Sequence, residues 1–266
     1  SDMDAIMDLC DARNIPVIED AAHCLSVAQS PVPKGTVGRV GCFSFQSYKL
    51  VNAGEGGILI TDDADLVARA VIMSGAYEHN WQKHKAPEGD NTGALALAFE
   101  RWQNKLPLYN LRLSNLSAAI IRPQLTEVPR RVRDGRANHD YVAGLLNRSP
   151  WLQVPEKLGP EDRAPDSIQL NLEGMDNDQI LAFQAAANAR EIKVQVFGQS
   201  ADNARAFWNW QFIEDLPELP RTRAMLMSAC DVRLPARLKR DELDVIAGAL
   251  TGAAEDVMGP LRAYGT

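Results

Sequence analysis

The sequence has few of the features that mark metal-binding, membrane or nucleic-acid-binding proteins. Its four cysteines (Cys10, Cys24, Cys42 and Cys230) are scattered without the spacing of metal ligands, and no apolar run reaches membrane-spanning length. The formal net charge is -7, and no basic cluster offers a footprint for a phosphate backbone. Repeats and low-complexity tracts are absent as well. We therefore expect reduced thiols in a cytoplasmic protein that has no nucleic-acid or membrane partner.

The most informative stretch, residues 41–57, places a single lysine between two strand-like runs. It has the sequence GCFSFQSYKLVNAGEGG, and an apolar run follows it at residues 58–61. Glycines let a backbone turn sharply and approach a ligand closely. A partly desolvated amine in such a turn loses its proton readily and becomes nucleophilic, so Lys49 is a candidate Schiff-base lysine. The alternative is an exposed lysine in a surface hairpin.

An acid and a histidine follow the strand that the apolar pattern predicts for residues 15–20. The run VIEDAAH, residues 17–23, carries Asp20 and His23. In open α/β sheets ligands bind beyond the carboxyl ends of the strands, where both side chains would lie. A carboxylate there can pair with a protonated pyridine nitrogen of a pyridoxal cofactor. Taken singly, Asp20 could cap a helix and His23 could be a core histidine, but together with Lys49 they favour a cofactor site.

Four motifs follow one another along the chain. They are VIEDAAH at residues 17–23, FSF with Lys49 at residues 43–49, GEGG at residues 54–57 and YNLRLSNLSAA at residues 109–119. In order and spacing they resemble the DegT/DnrJ/EryC1/StrS aminotransferases, of the fold-type I pyridoxal-phosphate class, over nearly the whole chain. The resemblance implies an α/β fold with part of a large parallel or mixed-sheet domain, a small C-terminal α+β domain and a pyridoxal 5'-phosphate cofactor.

The resemblance also implies a role for each of five residues. Lys49 would bind the cofactor covalently and shuttle a proton between the substrate carbon and the cofactor. Asp20 would pair with the pyridine nitrogen, and His23, where many members have glutamine, would contact the ring face or its 3-oxygen. Ser44 would offer its hydroxyl to the cofactor phosphate. Asn110 would reach the phosphate from a partner subunit, which implies a homodimer with a shared active site.

The implied reaction moves an amino group from glutamate or glutamine to a keto group of a sugar nucleotide or cyclitol. Two alternatives stay open. One is an aromatising or dehydrating member of the family; members that dehydrate deoxysugars carry histidine at the lysine position, so Lys49 argues against that version only. The other is a catalytically silent or regulatory relative that binds the cofactor.

The start of the chain suggests that the family's N-terminal segment is missing from this sequence. A helical stripe over residues 2–14 leads directly into the strand at residues 15–20, and a parallel strand needs neighbours. Members of the family carry, before this point, a turn that cups the phosphate and an aromatic residue that stacks on the ring. We therefore expect these residues to form only part of the family's site.

The remaining patterns predict two domains, with residues 1–149 as the C-terminal part of the cofactor-binding domain and residues 150–266 as the small α+β domain. Asp62 or Asp63 should cap one helix, and Ser114 another. A long helix should carry Val128, Val132, Tyr141 and Leu145 on one side. In the small domain, alternating strands at residues 167–172 and 192–197 should flank a helix that begins with a capping box of Asp176 and Gln179.

Residues 75–107 are the least regular part of the chain. They contain Tyr77, His79, Trp81, His84 and Trp102 among glycine, asparagine and proline. Histidines beside tryptophans could form a metal site or an aromatic sugar platform. No acid or cysteine stands at ligand spacing, so we expect no metal and a substrate-side or interface loop instead.

Overall fold

The computed structural model describes residues 2–25, 33–75, 93–156, 166–199 and 204–259. Contacts divide the chain into two compact units, residues 1–129 and 130–266. The predicted domain boundary, between residues 149 and 150, lies further along the chain than this division and stays a prediction.

A mixed sheet in the order β1-β2-β3 lies in the first unit as described. Its strands are β1 (Ile18–Asp20), β2 (Val40–Ser44) and β3 (Gly57–Ile60). Strand β1 runs parallel to β2, with Asp20 opposite Cys42, whereas β3 is antiparallel to β2. The antiparallel pair confirms the two strands predicted on either side of Lys49.

The loop that leads into β2 packs tightly on the sheet. A Cβ atom at Gly41 would lie 1.9 Å from the carbonyl oxygen of Gly35, so only glycine fits there. Gly35 itself has φ 84°, a backbone conformation that favours glycine. The glycines of this loop therefore serve close backbone packing.

The helices of the first unit are α1 (Met3–Asp11), α2 (Ala64–Met73), α3 (Ala94–Trp102) and α4 (Asn115–Leu125). The Asp63 carboxylate accepts the N–H of Leu66 (3.0 Å) at the start of α2, and the Ser114 hydroxyl accepts the N–H of Ser117 (3.0 Å) at the start of α4. The Ser114 cap is as the sequence predicted, and of the two candidates Asp62 and Asp63 it is Asp63 that caps α2. Helices α2 and α3 bury a small cluster between them, formed by Ala68, Ile72, Ala98 and Phe99.

An antiparallel sheet in the order β4-β5-β7-β6 lies in the second unit as described. Its strands are β4 (Leu152–Gln153), β5 (Ser167–Leu172), β6 (Val194–Val196) and β7 (Ala229–Arg233). In β5 the buried residues Ile168, Leu170 and Leu172 alternate with more exposed ones. This confirms the period-two strand that the sequence predicted.

The helices of the second part of the chain are α5 (Val128–Leu146), α6 (Asn177–Ala189), α7 (Pro220–Ser228) and α8 (Arg240–Met258). The predicted capping box of α6 is present, because Asp176 and Gln179 each accept the other's backbone N–H at 2.9 Å. The main core combines residues of the sheet with α5, α6 and α8, among them Val142, Leu146, Ile180, Phe183, Leu243 and Leu250. On α5, Val142 and Leu146 are fully buried, whereas the predicted Tyr141 and Leu145 pack at the margin of this core.

A short 3-10 helix, Phe207–Asn209, begins a cluster of aromatic rings. The Phe207 ring meets Trp208 and Trp210 edge-on, and Trp210 stacks on Phe212. The Arg223 guanidinium lies 4.6 Å from the centre of the Trp208 ring. These rings therefore pack on one another.

The four cysteines are free thiols. Burial, and to a lesser extent the charge of Asp231, raises the pKa of the Cys230 thiol to about 12.

Among the helices of the described ranges, none is long and apolar enough to cross a membrane.

Asp63 makes a pH-dependent contribution to stability. The Arg39 side chain, with the N–H of Leu66, lowers the pKa of Asp63 below its ordinary value of 3.8. A group whose pKa is lowered by folding stabilises the protein above its unfolded pKa and loses this effect as the pH falls through the folded pKa. We expect Asp63→Ala to reduce the free energy of unfolding by about 1 kcal/mol near neutral pH, and by less in acid. Urea denaturation near neutral pH and in acid measures the loss of unfolding free energy, with Asp62→Ala, at the exposed neighbouring residue, as the control. An equal loss at the two pH values would contradict the expected pH dependence.

Phe183 lies in the apolar core of the second unit, and its substitution tests how much that core stabilises the protein. Its side chain is fully buried on α6, so truncation leaves a cavity. We expect Phe183→Ala to lower the free energy of unfolding by about 3–5 kcal/mol in chemical denaturation. Leu181→Ala, at an exposed site on the same helix, should change it by less than about 1 kcal/mol. Similar losses in both variants would show that α6 packs through a different face.

Candidate active site

The connection between β2 and β3 holds Lys49 in an ordered turn. The N–H of Phe45 donates to the carbonyl of Gly56 (2.8 Å), and the N–H of Lys49 donates to the carbonyl of Gln46 (2.9 Å). Lys49 is half-buried in this turn, just beyond the carboxyl end of β2. It is therefore placed by the hairpin and is less exposed than a typical surface lysine.

Helix α4 fixes the second half of this turn. The side-chain amide of Gln124 accepts the N–H of Asn52 (3.3 Å) and donates to the carbonyl of the same residue (2.7 Å). Val51 is fully buried, and the Asn52 amide donates to the carbonyl of Lys49 (3.3 Å). No local sequence pattern marks Gln124, because its side-chain amide contacts a turn 72 residues earlier in the chain.

Lys49 and His23 come together directly. The Lys49 Nζ and His23 Nε2 atoms are 2.6 Å apart, although the two residues are 26 positions apart in the sequence. The amine can donate to an unprotonated Nε2 at this distance. The structure thus joins two of the residues that the motifs singled out.

Asp20 and Ser44 end adjacent parallel strands. Asp20 is exposed at the end of β1, where its Oδ1 accepts the N–H of Ala22 (3.0 Å). Ser44 ends β2, and its Oγ accepts the N–H of Gln46 (3.2 Å). Residues 21–25 are not helical, so Asp20 does not cap a helix here. Both side chains lie at the sheet edge where α/β proteins bind ligands.

Asn110 lies on a segment that is fixed to the end of α2. The N–H of Tyr109 donates to the carbonyl of Met73 (2.8 Å), and the N–H of Leu111 donates to the carbonyl of Ser74 (3.0 Å). The Asn110 side chain is exposed, and among the described residues it has no hydrogen-bond partner. Its described contacts do not connect it to Lys49.

Glu19 makes three contacts that none of the sequence motifs predicted. Its carboxylate accepts backbone N–H groups from Gly35 (2.9 Å), Val37 (2.7 Å) and Gly38 (2.7 Å). The sequence pattern that could have indicated this role is an acidic residue within an apolar strand, followed by a glycine-rich loop whose backbone N–H groups need acceptors.

The aromatic and histidine residues predicted near the substrate fall mostly outside the described residues. Tyr77, His79, Trp81 and His84 all do. Trp102 is described, and its Nε1 donates to Asp65 (2.8 Å), which is a structural contact between α3 and α2. Within the described ranges no group of three or more His, Cys, Asp and Glu side chains could hold a metal ion.

Together these elements place an amine, an imidazole, a carboxylate and a hydroxyl at the carboxyl ends of β1 and β2. An amine can attack an aldehyde or take up a proton, and a neighbouring imidazole can accept that proton. A carboxylate at the same edge can hold a cationic ring nitrogen. The arrangement therefore suits covalent chemistry on an aldehyde with proton transfer.

Known aminotransferases resemble this chain in sequence and in fold. Residues 1–251 match the model of the DegT/DnrJ/EryC1/StrS aminotransferase family. The L-glutamine:scyllo-inosose aminotransferase of Streptomyces griseus is 34% identical over 125 residues, which are 47% of this chain and 28% of the relative. The aminotransferase TlmJ from Streptoalloteichus hindustanus superposes with a TM-score of 0.74 at 19% identity, covering 97% of this chain and 63% of TlmJ.

A GDP-4-keto-6-deoxymannose-3-dehydratase, solved with a trapped PLP-glutamate geminal diamine, has a TM-score of 0.71 at 21% identity over 94% of this chain and 64% of its own. The matched regions span less than half the length of the curated relatives. These likenesses confirm the predicted α/β fold class of pyridoxal-phosphate-dependent transferases. The chain belongs to the DegT/DnrJ/EryC1/StrS aminotransferase family.

Proposed function

We propose that the protein is a pyridoxal-phosphate-dependent aminotransferase that moves an amino group from glutamate or glutamine to a keto group of a cyclitol or sugar nucleotide. The observation that carries this proposal is the 2.6 Å approach of Lys49 Nζ to His23 Nε2, at the sheet edge that also carries Asp20. Family membership supports the reaction class. The name of the Streptomyces griseus relative supports glutamine and a ketocyclitol as substrates.

The side chains at this edge fit the cofactor. The half-buried Lys49 amine can bind its aldehyde, and the Ser44 hydroxyl can donate to a phosphate oxygen. Asp20 uses Oδ1 for the N–H of Ala22, and among the described residues Oδ2 accepts no hydrogen bond, so it is available for a pyridine nitrogen. When bound, the cofactor supplies an electron-withdrawing ring that stabilises negative charge on the substrate carbon.

Proton transfer depends on Lys49 and its neighbours. An ammonium group is not nucleophilic, so Lys49 Nζ must lose a proton before it attacks. His23 Nε2 lies within hydrogen-bond distance and can take that proton. After the substrate's amino group has displaced Lys49 from the cofactor aldehyde, the freed Nζ would remove the proton from the substrate carbon and return it, while the Asp20 carboxylate would hold a proton on the ring nitrogen.

We also propose a homodimer in which Asn110 of the partner subunit completes the phosphate site. Asn110 is exposed, and large apolar side chains around it are exposed too: Leu108, Tyr109, Leu111 and Leu116. Several large exposed apolar side chains within one short segment are typical of an interface. In a two-fold dimer the same segment from each chain would contribute to the other's site.

We place this activity in the cytoplasm. The four cysteines are free thiols, three of them half-buried. Free thiols persist in compartments kept reducing by glutathione and thioredoxin.

Dehydration at the same site is a second candidate, because a solved dehydratase shares the fold. At 21% identity that likeness shows the fold alone. The resemblance described above implies histidine in place of Lys49 in members that dehydrate deoxysugars. The ordered lysine turn therefore favours amino transfer.

Lys49 is the first test of the proposal. We expect Lys49→Ala to reduce amination of a ketocyclitol or ketosugar by about 10³-fold or more, because it removes both nucleophile and base. Borohydride should fix pyridoxal phosphate to Lys49 in the unsubstituted protein and leave the variant unlabelled, as peptide mapping shows. Lys105→Ala, at an exposed lysine of the same unit, is the control. Amination retained by Lys49→Ala would contradict the proposal.

The shared site predicts complementation between inactive chains. We expect Lys49→Ala and Asn110→Ala each to lose activity. Their co-expression should restore about a quarter of it, because about half of the dimers would contain one chain of each kind and one of the two sites in each such dimer would be intact. Amination by the purified mixture measures this. Lys49→Ala co-expressed with a chain that carries both substitutions is the control. If the mixture equals the average of its parents, Asn110 does not act across an interface.

A further inference from the structure

We infer that Glu19 is a positioning residue that holds Asp20 at the carboxyl end of β1. This rests on the proposed function, which gives Asp20 its place opposite the pyridine nitrogen. Glu19 directly precedes Asp20 in β1, and successive strand residues point to opposite faces of a sheet. Glu19 can therefore fix the strand from one face while Asp20 stays available on the other.

The Glu19 carboxylate is fully engaged by one loop. Its Oε2 accepts the N–H of Gly35 at 2.9 Å, and its Oε1 accepts those of Val37 and Gly38, both at 2.7 Å. Hydrogen bonds to an ionised acceptor are roughly twice as strong as neutral ones. Three of them converge on a half-buried side chain, so the strand and the loop are closely tied.

The loop is a firm anchor because it is packed against the sheet. The N–H of Arg39 donates to the carbonyl of Val17 (2.9 Å), just before β1. A Cβ atom at Gly38 would lie 2.8 Å from the carbonyl oxygen of Val17, and one at Gly41 would lie 1.9 Å from that of Gly35. The loop thus has little room to move against β1 and β2.

Strand β1 depends on this anchor because it has few other restraints. It is three residues long, and β2 is its neighbour in the sheet as described. Beyond its end, the N–H of Ala21 donates to the carbonyl of Cys42 (2.8 Å). Loss of the Glu19 contacts would let the end of β1 shift, and a displacement of about 1 Å at a site residue can cost about 10²-fold in rate.

The first experiment compares Glu19→Gln with Glu100→Gln, the same change at an exposed glutamate on α3. An amide can accept through one atom only, so at least one N–H loses its acceptor. Without added cofactor, we expect Glu19→Gln to speed hydrogen exchange at the amides of Gly35, Val37 and Gly38, while the amides of β7 and α8 stay protected. The affinity of the Glu19→Gln protein for pyridoxal phosphate should be about ten-fold lower than that of the unsubstituted protein, which is about the effect of losing one charge-assisted hydrogen bond.

The second experiment separates positioning from general stability by a double-mutant cycle with Asp20→Asn. If Glu19 acts through Asp20, then Glu19→Gln should weaken cofactor binding much less in the Asp20→Asn background than in the unsubstituted protein. It should also shift the absorbance band of the bound cofactor in the same direction as Asp20→Asn. Additive losses, or an unshifted band, would overturn the inference.

Glu19→Asp covers the case in which Glu19→Gln fails to fold. It keeps the charge but is one methylene shorter, so it should show the same changes to a smaller extent. If the unsubstituted protein binds no pyridoxal phosphate, the proposed function falls and this inference with it. If it binds, and the Glu19 variants bind as well as Glu100→Gln, only the inference falls.

Discussion

Parallel pairing of β1 with β2 is the constraint on which the candidate site depends. The register sets Asp20 opposite Cys42, so the carboxyl ends of the two strands meet at one edge of the sheet. The turns that leave those ends carry His23 and Lys49 to a separation of 2.6 Å. Parallel strands cannot be joined by a tight turn, so the chain must return along the sheet before β2 begins. The Glu19 carboxylate binds the N–H groups of that returning loop.

The two units are stabilised in different ways. The second has a continuous apolar core between its sheet and helices α5, α6 and α8, whereas the first buries a small cluster between α2 and α3. Apolar side chains around Asn110, and others on β1 and β3, are exposed in the first unit. Its site residues are held chiefly by hydrogen bonds from backbone groups and amides. The exposed apolar side chains support the homodimer proposed above.

Local patterns predicted most of the elements and their starts. Asp63, Ser114 and the pair of Asp176 and Gln179 cap the helices that the sequence assigned to them, because a cap involves residues only two or three positions apart. The inner face of α5 was less well predicted: Val142 and Leu146 are buried more deeply than Tyr141 and Leu145. An apolar stripe spans more than 100° of a helix, so periodicity does not separate adjacent positions within it.

The sequence by itself determined the residue types of the candidate site and their order along the chain, since Asp20, His23, Ser44 and Lys49 all stand in motifs that resemble those of the family. Only the tertiary structure decided which of them touch. The contact of His23 with Lys49, the loop amides on Glu19 and the clasp of Gln124 on Asn52 join residues 16 to 72 positions apart. Such contacts depend on the path of the backbone through the sheet, and no local preference of the chain encodes that path.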